Sequence, residues 1–242
     1  MKACETPRIG VLLANTGTPK SPEPRDVRRY LGRFLMDERI RPMAKAPWWL
    51  ILHLFILPTR SVKSGRKYGK IWTEAGSPFD VEHAKLRDLL EQRLQGDGMD
   101  VRVQVGQSYG EDSIRTALAA LREQGCTQVV VLPLYPQSAH STTLSVKDGV
   151  AAAMTELSWQ ASVAFVDSYG MDSAYIPMSL RPAQPRWRWR VAFVLIERSG
   201  PSATIAGSIK AANGCSRLPE AFSSVGRRRE MAVSSWFARI LR

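Results

Sequence analysis

The stretch QVVVLPLYPQSAHSTTLSV, Gln128–Val146, joins two kinds of sequence. Its first seven residues, Gln128–Leu134, are rich in β-branched and apolar side chains, the composition of a central strand buried on both faces of a parallel sheet. After Tyr135 and Pro136 the chain turns to small, hydroxyl and imidazole residues, with His140 in their middle. A buried strand that opens at its carboxyl end into a polar loop suits an α/β sheet, in which ligands sit at the carboxyl ends of the strands.

The residues on either side follow the same plan. Ile9–Ala14 is a second apolar run and ends in NTGTP, Asn15–Pro19, which reads as a buried strand and its loop. Val101, Val103 and Val105 alternate as in a strand, and a fourth strand is expected at about 162–167. Helical patterns fall between them. Ser21 and Pro22 open one, with Pro24 in its first turn and Val27, Tyr30, Leu31, Phe34 and Leu35 as its apolar stripe. Another covers Val81–Leu94. A third, capped by Asp112 or Ser113, points Ile114, Ala117, Leu118 and Leu121 inward and stops at Gly125. A fourth is expected at about 146–157. Alternating strand and helix predicts a parallel sheet with helices on both faces, so NTGTP and PQSAHSTTLS should face one crevice.

Composition narrows the function classes. Three separated cysteines, Cys4, Cys126 and Cys215, make neither a disulfide framework nor a metal spacing and suit a reducing compartment. The N-terminal residues show no apolar signal core. The longest apolar stretch, WWLILHLFIL at Trp48–Leu57, has ten residues, too few to span a bilayer. Net charge is +12, but residues 181–242 hold +9 of it and residues 1–180 only +3. That tail contains no Asp, His or Tyr, and eleven of its residues are Arg. With Trp187 and Trp189 it offers charge and stacking to phosphates, yet no nucleic-acid motif accompanies it, and nucleic acid is not the expected partner.

Each motif has a functional and an ordinary reading. The glycine of NTGTP lets backbone approach a ligand beside a helix N-terminus, or is simply a strand–helix turn. No GxGxxG or GxxxxGK[ST] supports a nucleotide loop. KYGKIWTEAGSPF, Lys67–Phe79, places two aromatics and two lysines before a Gly-Ser-Pro turn, which suits a clamp on a flat anionic ligand or a helix packing its aromatics inward. Trp48–Leu57, followed by Arg60, Lys63, Arg66 and Lys67, is an interfacial helix at acidic lipid, or else a core helix or a hydrophobic lip over a pocket. His140 has the chemistry of a proton acceptor or metal ligand, but no carboxylate or cysteine lies close in sequence to complete a site.

Together these motifs resemble the bacterial ferrochelatases. GVLLANTGTPKSPEPRDVRRYLGRFLMDERI is similar to that family's opening. YGKIWTEAGSPF matches its Tyr-x-x-Ile-Trp-x-x-x-Gly-Ser-Pro stretch, VVVLPLYPQ…STT its Leu-Tyr-Pro-Gln loop, and VDSYGMDSAYI its next strand and turn. The four occur in family order across residues 8–176. The resemblance implies two Rossmann-like halves with a porphyrin cleft between them. It implies a reaction inserting Fe²⁺ into a porphyrin with loss of two pyrrole protons, in the cytoplasm as part of haem biosynthesis. Fe²⁺ and porphyrin are then substrates, with no bound prosthetic group. By position, Thr16 lies over the ring, Tyr68 and Ser77 line the porphyrin or its propionates, and Lys67 stands at a cationic position. Tyr135, Ser141 and Val146 belong to a loop along the same cleft. Trp48–Leu57 corresponds to the lip, which touches membrane in some members.

The departures are specific. Ser138, Ala139, His140 and Ser141 stand where the family has Tyr-Ser-Ala-Ser or similar, Leu144 replaces a glycine, and Ser108-Tyr109-Gly110 replaces Arg-Tyr-Gly. The family continues beyond the equivalent of Pro177 with a strand ending in Ser-Phe-His-Gly-Ile-Pro or Ser-Ala-His-Ser-Leu-Pro, whose histidine is its central metal-site residue. A later His-x-Glu supplies the glutamate. Residues 178–242 contain no histidine. The expectation is therefore a ferrochelatase-like α/β domain over residues 1–177, a second half truncated or replaced, and impaired metal insertion. A non-catalytic porphyrin-binding remnant is the alternative, with His140 as a speculative substitute metal ligand. The tail, 178–242, reads as a frameshifted or otherwise misread continuation. Another frame downstream of codon 177 should then encode the missing histidine motifs, and a nucleotide sequence with no such frame refutes this.

Overall fold

Apolar runs and helical stripes assemble as the spacing predicts. The computed structural model describes residues 7–172 and Tyr175. The strands β1 (Ile9–Asn15), β2 (Val101–Gln107), β3 (Gln128–Pro133) and β4 (Ser162–Phe165) form one sheet in the order β2-β1-β3-β4. Every pairing is parallel, with Leu12 opposite Gln104 on one side and Val131 on the other. The chain moves from β1 out to β2, then crosses back over β1 to reach β3. The connections thus diverge between β1 and β3, and the crevice outside their carboxyl ends is the switch point at which such sheets bind ligands.

Helices cover both faces, as expected of this Rossmann-like α/β arrangement. On one face α5 (Ile114–Glu123) and α6 (Thr143–Glu156) press Ile114, Leu118, Leu121, Val146 and Val150 onto Leu12, Val129 and Val131. On the other, α4 (Pro78–Gly96) sets Leu86, Leu90 and Leu94 against Val11, Leu13 and Val103. Leu12 and Leu13 are fully buried on opposite sides of β1, which is why Ile9–Asn15 reads as a continuous apolar run rather than an alternating one.

A third cluster joins α1 (Pro24–Met36) to the helices after it through Val27, Tyr30, Leu31, Leu52, Leu57 and Tyr109. Here α2 (Lys45–Ile51) runs through a π-helical segment (Leu52–Ile56) into α3 (Leu57–Gly69). Pro58 follows the wide turn. It has no N–H to give to a carbonyl of the preceding turn, and the π segment lies where that bond is lost. The stretch Trp48–Leu57 is therefore two-faced. Leu52 and Leu57 are buried, whereas Trp49, Leu50, Leu54 and Phe55 face outward, Phe55 at 69% exposure. No described helix is long and apolar enough to cross a membrane.

Some boundaries differ from the sequence reading. The first helix begins at Pro24 rather than Ser21; Ser21 instead gives its hydroxyl to Asp26 Oδ2 and takes the Glu23 N–H. The Gly-Ser-Pro turn at Gly76–Pro78 also starts the next helix, because Ser77 caps α4 by accepting the Phe79 N–H at 3.2 Å and Pro78 opens the helix. Ser113 caps α5 through the Thr116 N–H. The basic tail lies outside the described residues.

Candidate functional site

Asn15–Thr18, the loop that leaves β1, is held from every side. Its backbone is tied to the exit of β2, where Ser108 N–H donates to Asn15 O at 2.8 Å and Tyr109 N–H to Thr16 O at 3.1 Å. It is tied to the exit of β3 by Leu134 N–H on Ala14 O at 2.8 Å. From α1, the Tyr30 hydroxyl donates to Gly17 O at 3.0 Å. From the start of α4, the Ser77 hydroxyl donates to Thr18 Oγ1 at 3.2 Å.

The buried Gln107 sits beneath the loop. Its Oε1 accepts the Thr18 N–H, and its Nε2 donates to Asp80 Oδ1 at 2.6 Å. Gly17 makes this approach possible. Its φ is +98°, and a Cβ there would stand 2.6 Å from Gln107 Oε1 and 2.9 Å from the Gly110 nitrogen. At Gly110 a Cβ would overlap Gln107 Oε1 outright.

Across the switch point, Thr16 Oγ1 and the Tyr135 hydroxyl lie 2.6 Å apart. This bond joins NTGTP to the Leu-Tyr-Pro-Gln loop, the two loops that the sequence places in one crevice. Tyr30, Tyr68 and Tyr109 gather near it. Burial pushes the phenol pKa of all four tyrosines above the ordinary 10, so they remain neutral hydroxyls through physiological pH. Tyr109 donates to Asp37 Oδ2 at 2.6 Å, and Ser145 reaches the other oxygen of that carboxylate at 3.4 Å. The wall is aromatic, rich in hydroxyls and low in charge.

The remaining predicted residues fall in different places. Tyr68 is half-buried and stands edge-on to Trp72 at 6.4 Å. Lys67 is exposed one residue before it. Ser77 is buried, its hydroxyl engaged with Thr18 and Phe79. Ser141 is exposed on the loop, and Val146 is fully buried in the core under α5 rather than in the crevice. His140 presents Nε2 to Arg39 Nη1 at 3.0 Å, and the same guanidinium grips both oxygens of Asp148, holding that carboxyl below its ordinary pKa. Arg39 thus clips the loop tip to the α1–α2 connection. Among the described residues, no three His, Cys, Asp or Glu side chains converge as a metal centre requires.

Asn15, Gln107, Asp37, Arg39 and His83 are site residues that sequence reasoning passed over. The bonds that bring them to the site join residues distant in sequence; only the end-of-strand place of Asn15 carried a local signal.

The model of the family described as Ferrochelatase matches residues 8–191. The chain belongs to the ferrochelatase family. The match runs past Ile176, where the motifs quoted above stop. A ferrochelatase of Pectobacterium atrosepticum is 41% identical over 169 residues, covering 70% of this chain and 52% of that protein. One of Haemophilus influenzae is 39% identical over 169 residues, with the same shares. One of Janthinobacterium is 38% identical over 182 residues, 75% of this chain and 50% of the relative. The chain spans about half the length of the ferrochelatases it matches.

The bond across the crevice is measurable. In a double-mutant cycle, Thr16→Val and Tyr135→Phe should each cost about 1 kcal/mol in urea unfolding, with a coupling of about 0.5–1.5 kcal/mol. Additive effects would mean that the two hydroxyls do not interact.

Proposed function

We propose that this chain binds a dicarboxylic porphyrin in the crevice between the loops after β1 and β3, as one wall of a site built to insert Fe²⁺ in haem biosynthesis. The observation that carries the proposal is the Thr16–Tyr135 bond at 2.6 Å, which brings two family motifs together at the switch point. A flat macrocycle suits an apolar, aromatic wall. Its propionates suit hydroxyl and cationic partners, for which exposed Lys67 and Ser141 are available. The whole wall supplies position rather than proton transfer, because its phenols are held in the neutral form.

Metal insertion needs more than this wall: a neutral imidazole and a carboxylate to handle the metal and the two pyrrole protons. The described residues bring no such group of donors together, and residues 178–242 contain no histidine. We therefore assign this sequence porphyrin binding with impaired insertion. His140 as a substitute ligand would have to act beside the Arg39 guanidinium, whose charge opposes a metal cation.

The outward row Trp49, Leu50, Leu54 and Phe55, next to Arg60, Lys63 and Arg66 on α3, supports peripheral contact with an acidic membrane in the cytoplasm. Co-sedimentation with anionic phospholipid vesicles should be lost in Phe55→Ser; equal sedimentation of the variant would contradict that contact.

The decisive test is a titration of the 242-residue chain into a dicarboxylic porphyrin, with zinc insertion followed by fluorescence against a protein-free control. The expected result is a saturable Soret shift without zinc turnover. No Soret shift would refute the porphyrin reading. Turnover would refute the impairment, and its loss in His140→Ala would identify the ligand.

A further inference from the structure

We propose that His83 is a positioning residue for Thr16, holding the β1 loop in its site through a directional relay that exists only while the imidazole is neutral. This rests on the porphyrin reading for its consequence but on separate geometry for its existence. His83 lies on α4, half-buried, with its ring stacked on Phe79 at a centroid distance of 3.9 Å. Its Nδ1 is 2.6 Å from the Phe79 carbonyl oxygen and its Nε2 is 3.0 Å from Asn15 Nδ2. Asn15 Oδ1 in turn lies 2.7 Å from the Thr16 nitrogen.

The two ends of this chain fix everything between them. A carbonyl oxygen only accepts, so His83 Nδ1 carries the proton. In the neutral ring Nε2 then accepts, and Asn15 must present its NH₂ to it. That leaves Asn15 Oδ1 facing the Thr16 N–H, which only donates. All three bonds agree in direction, and Thr16 Oγ1 continues to Tyr135.

A second proton breaks the relay whichever way Asn15 turns. Protonated Nε2 would face the Asn15 NH₂, donor against donor. If Asn15 flips to accept from His83, its NH₂ meets the Thr16 N–H instead. One bond is lost in either case, the Asn15–His83 bond or the Asn15 bond to the Thr16 amide, so His83 no longer holds Thr16, although Ser77 still binds Thr18.

The charged groups around the ring are Asp80 and Arg87 on α4 itself and Asp112 from the turn after β2, which line the same pocket. Arg87 is engaged with Asp88, and Asp80 with Gln107. β1 and β2 present only Asn15, Gln104 and Gln107, none of which titrates. Burial lowers the His83 pKa below its ordinary 6.5, so the neutral form needed by the relay is the one that folding favours. As pH falls through 6.5, the unfolded chain takes up a proton that the folded chain refuses. Stability declines from there until the lower folded pKa is reached, and is flat below it.

The test uses ¹⁵N-labelled full-length chain, with His83→Gln as the conservative variant, since a glutamine oxygen accepts from Asn15 but does not titrate. Long-range histidine spectra should show His83 protonated at Nδ1 alone. The Thr16 amide should shift with the midpoint of His83 in the wild type and stay still in His83→Gln. Dicarboxylic porphyrin affinity should match in the two proteins at pH 7.5, and the wild type should weaken relative to His83→Gln as pH passes below the His83 midpoint read from the spectra, reaching about tenfold once the ring is fully protonated. His83→Leu, which removes the acceptor, should be about tenfold weaker already at pH 7.5. A ring protonated at Nε2, or a Thr16 amide that ignores the His83 titration, would overturn the relay. Equal pH profiles in wild type and His83→Gln would overturn its role in binding. A wild type that binds no porphyrin at pH 7.5 would sink the ligand reading, while the spectra alone would decide the relay.

Discussion

Everything at this site depends on where β1 ends. β1 lies between β2 and β3, and the connections after β1 and after β3 lead to opposite sides of the sheet, to β2 and to β4. Its carboxyl end is therefore the place where backbone from three strands stops at once, with each set of N–H and C=O groups needing partners. Asn15–Thr18 provides them. It accepts from the exit of β2, and Ala14 just before it accepts from the exit of β3. Side chains from α1, α4 and β2 then meet the rest through Tyr30, Ser77 and Gln107. A loop so fully satisfied is rigid enough to hold a hydroxyl such as Thr16 Oγ1 in one place, which a ligand wall requires. Gly17 is the condition for this packing, because no side chain fits between the loop and Gln107.

The elements that were legible in the sequence are those whose signal is local. Ile9–Asn15 and Gln128–Pro133 read as buried strands because both of their faces are covered, and the stripe of α1 read correctly because one face packs on α3. The start of α4 was hidden because Gly76-Ser77-Pro78 serves two elements at once, ending one turn and capping the next helix. The π segment carries no periodicity of its own, and Pro58 alone hints at it. The site is legible only in part. The two loops could be placed in one crevice from topology, but the Thr16–Tyr135 bond spans 119 positions and the Asn15–His83 bond 68. Such pairs follow from the fold and not from spacing. Val146, grouped with the loop by motif, belongs to the core because α6 begins before it.

The crevice wall and the exposed apolar row lie on different parts of the described chain. The crevice wall is built from neutral hydroxyls, and its nearby charges are engaged, Asp37 with Tyr109 and Arg39 with Asp148. The exposed apolar row lies instead on α2 and the π segment, where Leu52 and Leu57 anchor the helix inward and leave Trp49 and Phe55 outside. One continuous helical stretch thus carries both a core face and an exposed apolar face, and the buried Leu52 is what keeps the outward row in place.

The central claim is that the β1 loop is as firmly held as the strand that carries it. Native-state hydrogen exchange of the full chain measures this directly. The amides of Thr16, Thr18 and Tyr109 should exchange only by global unfolding, with the protection of Leu12 and Val131. Fast exchange at Thr16 and Thr18, with the strands still protected, would show that the loop opens on its own and would contradict the account.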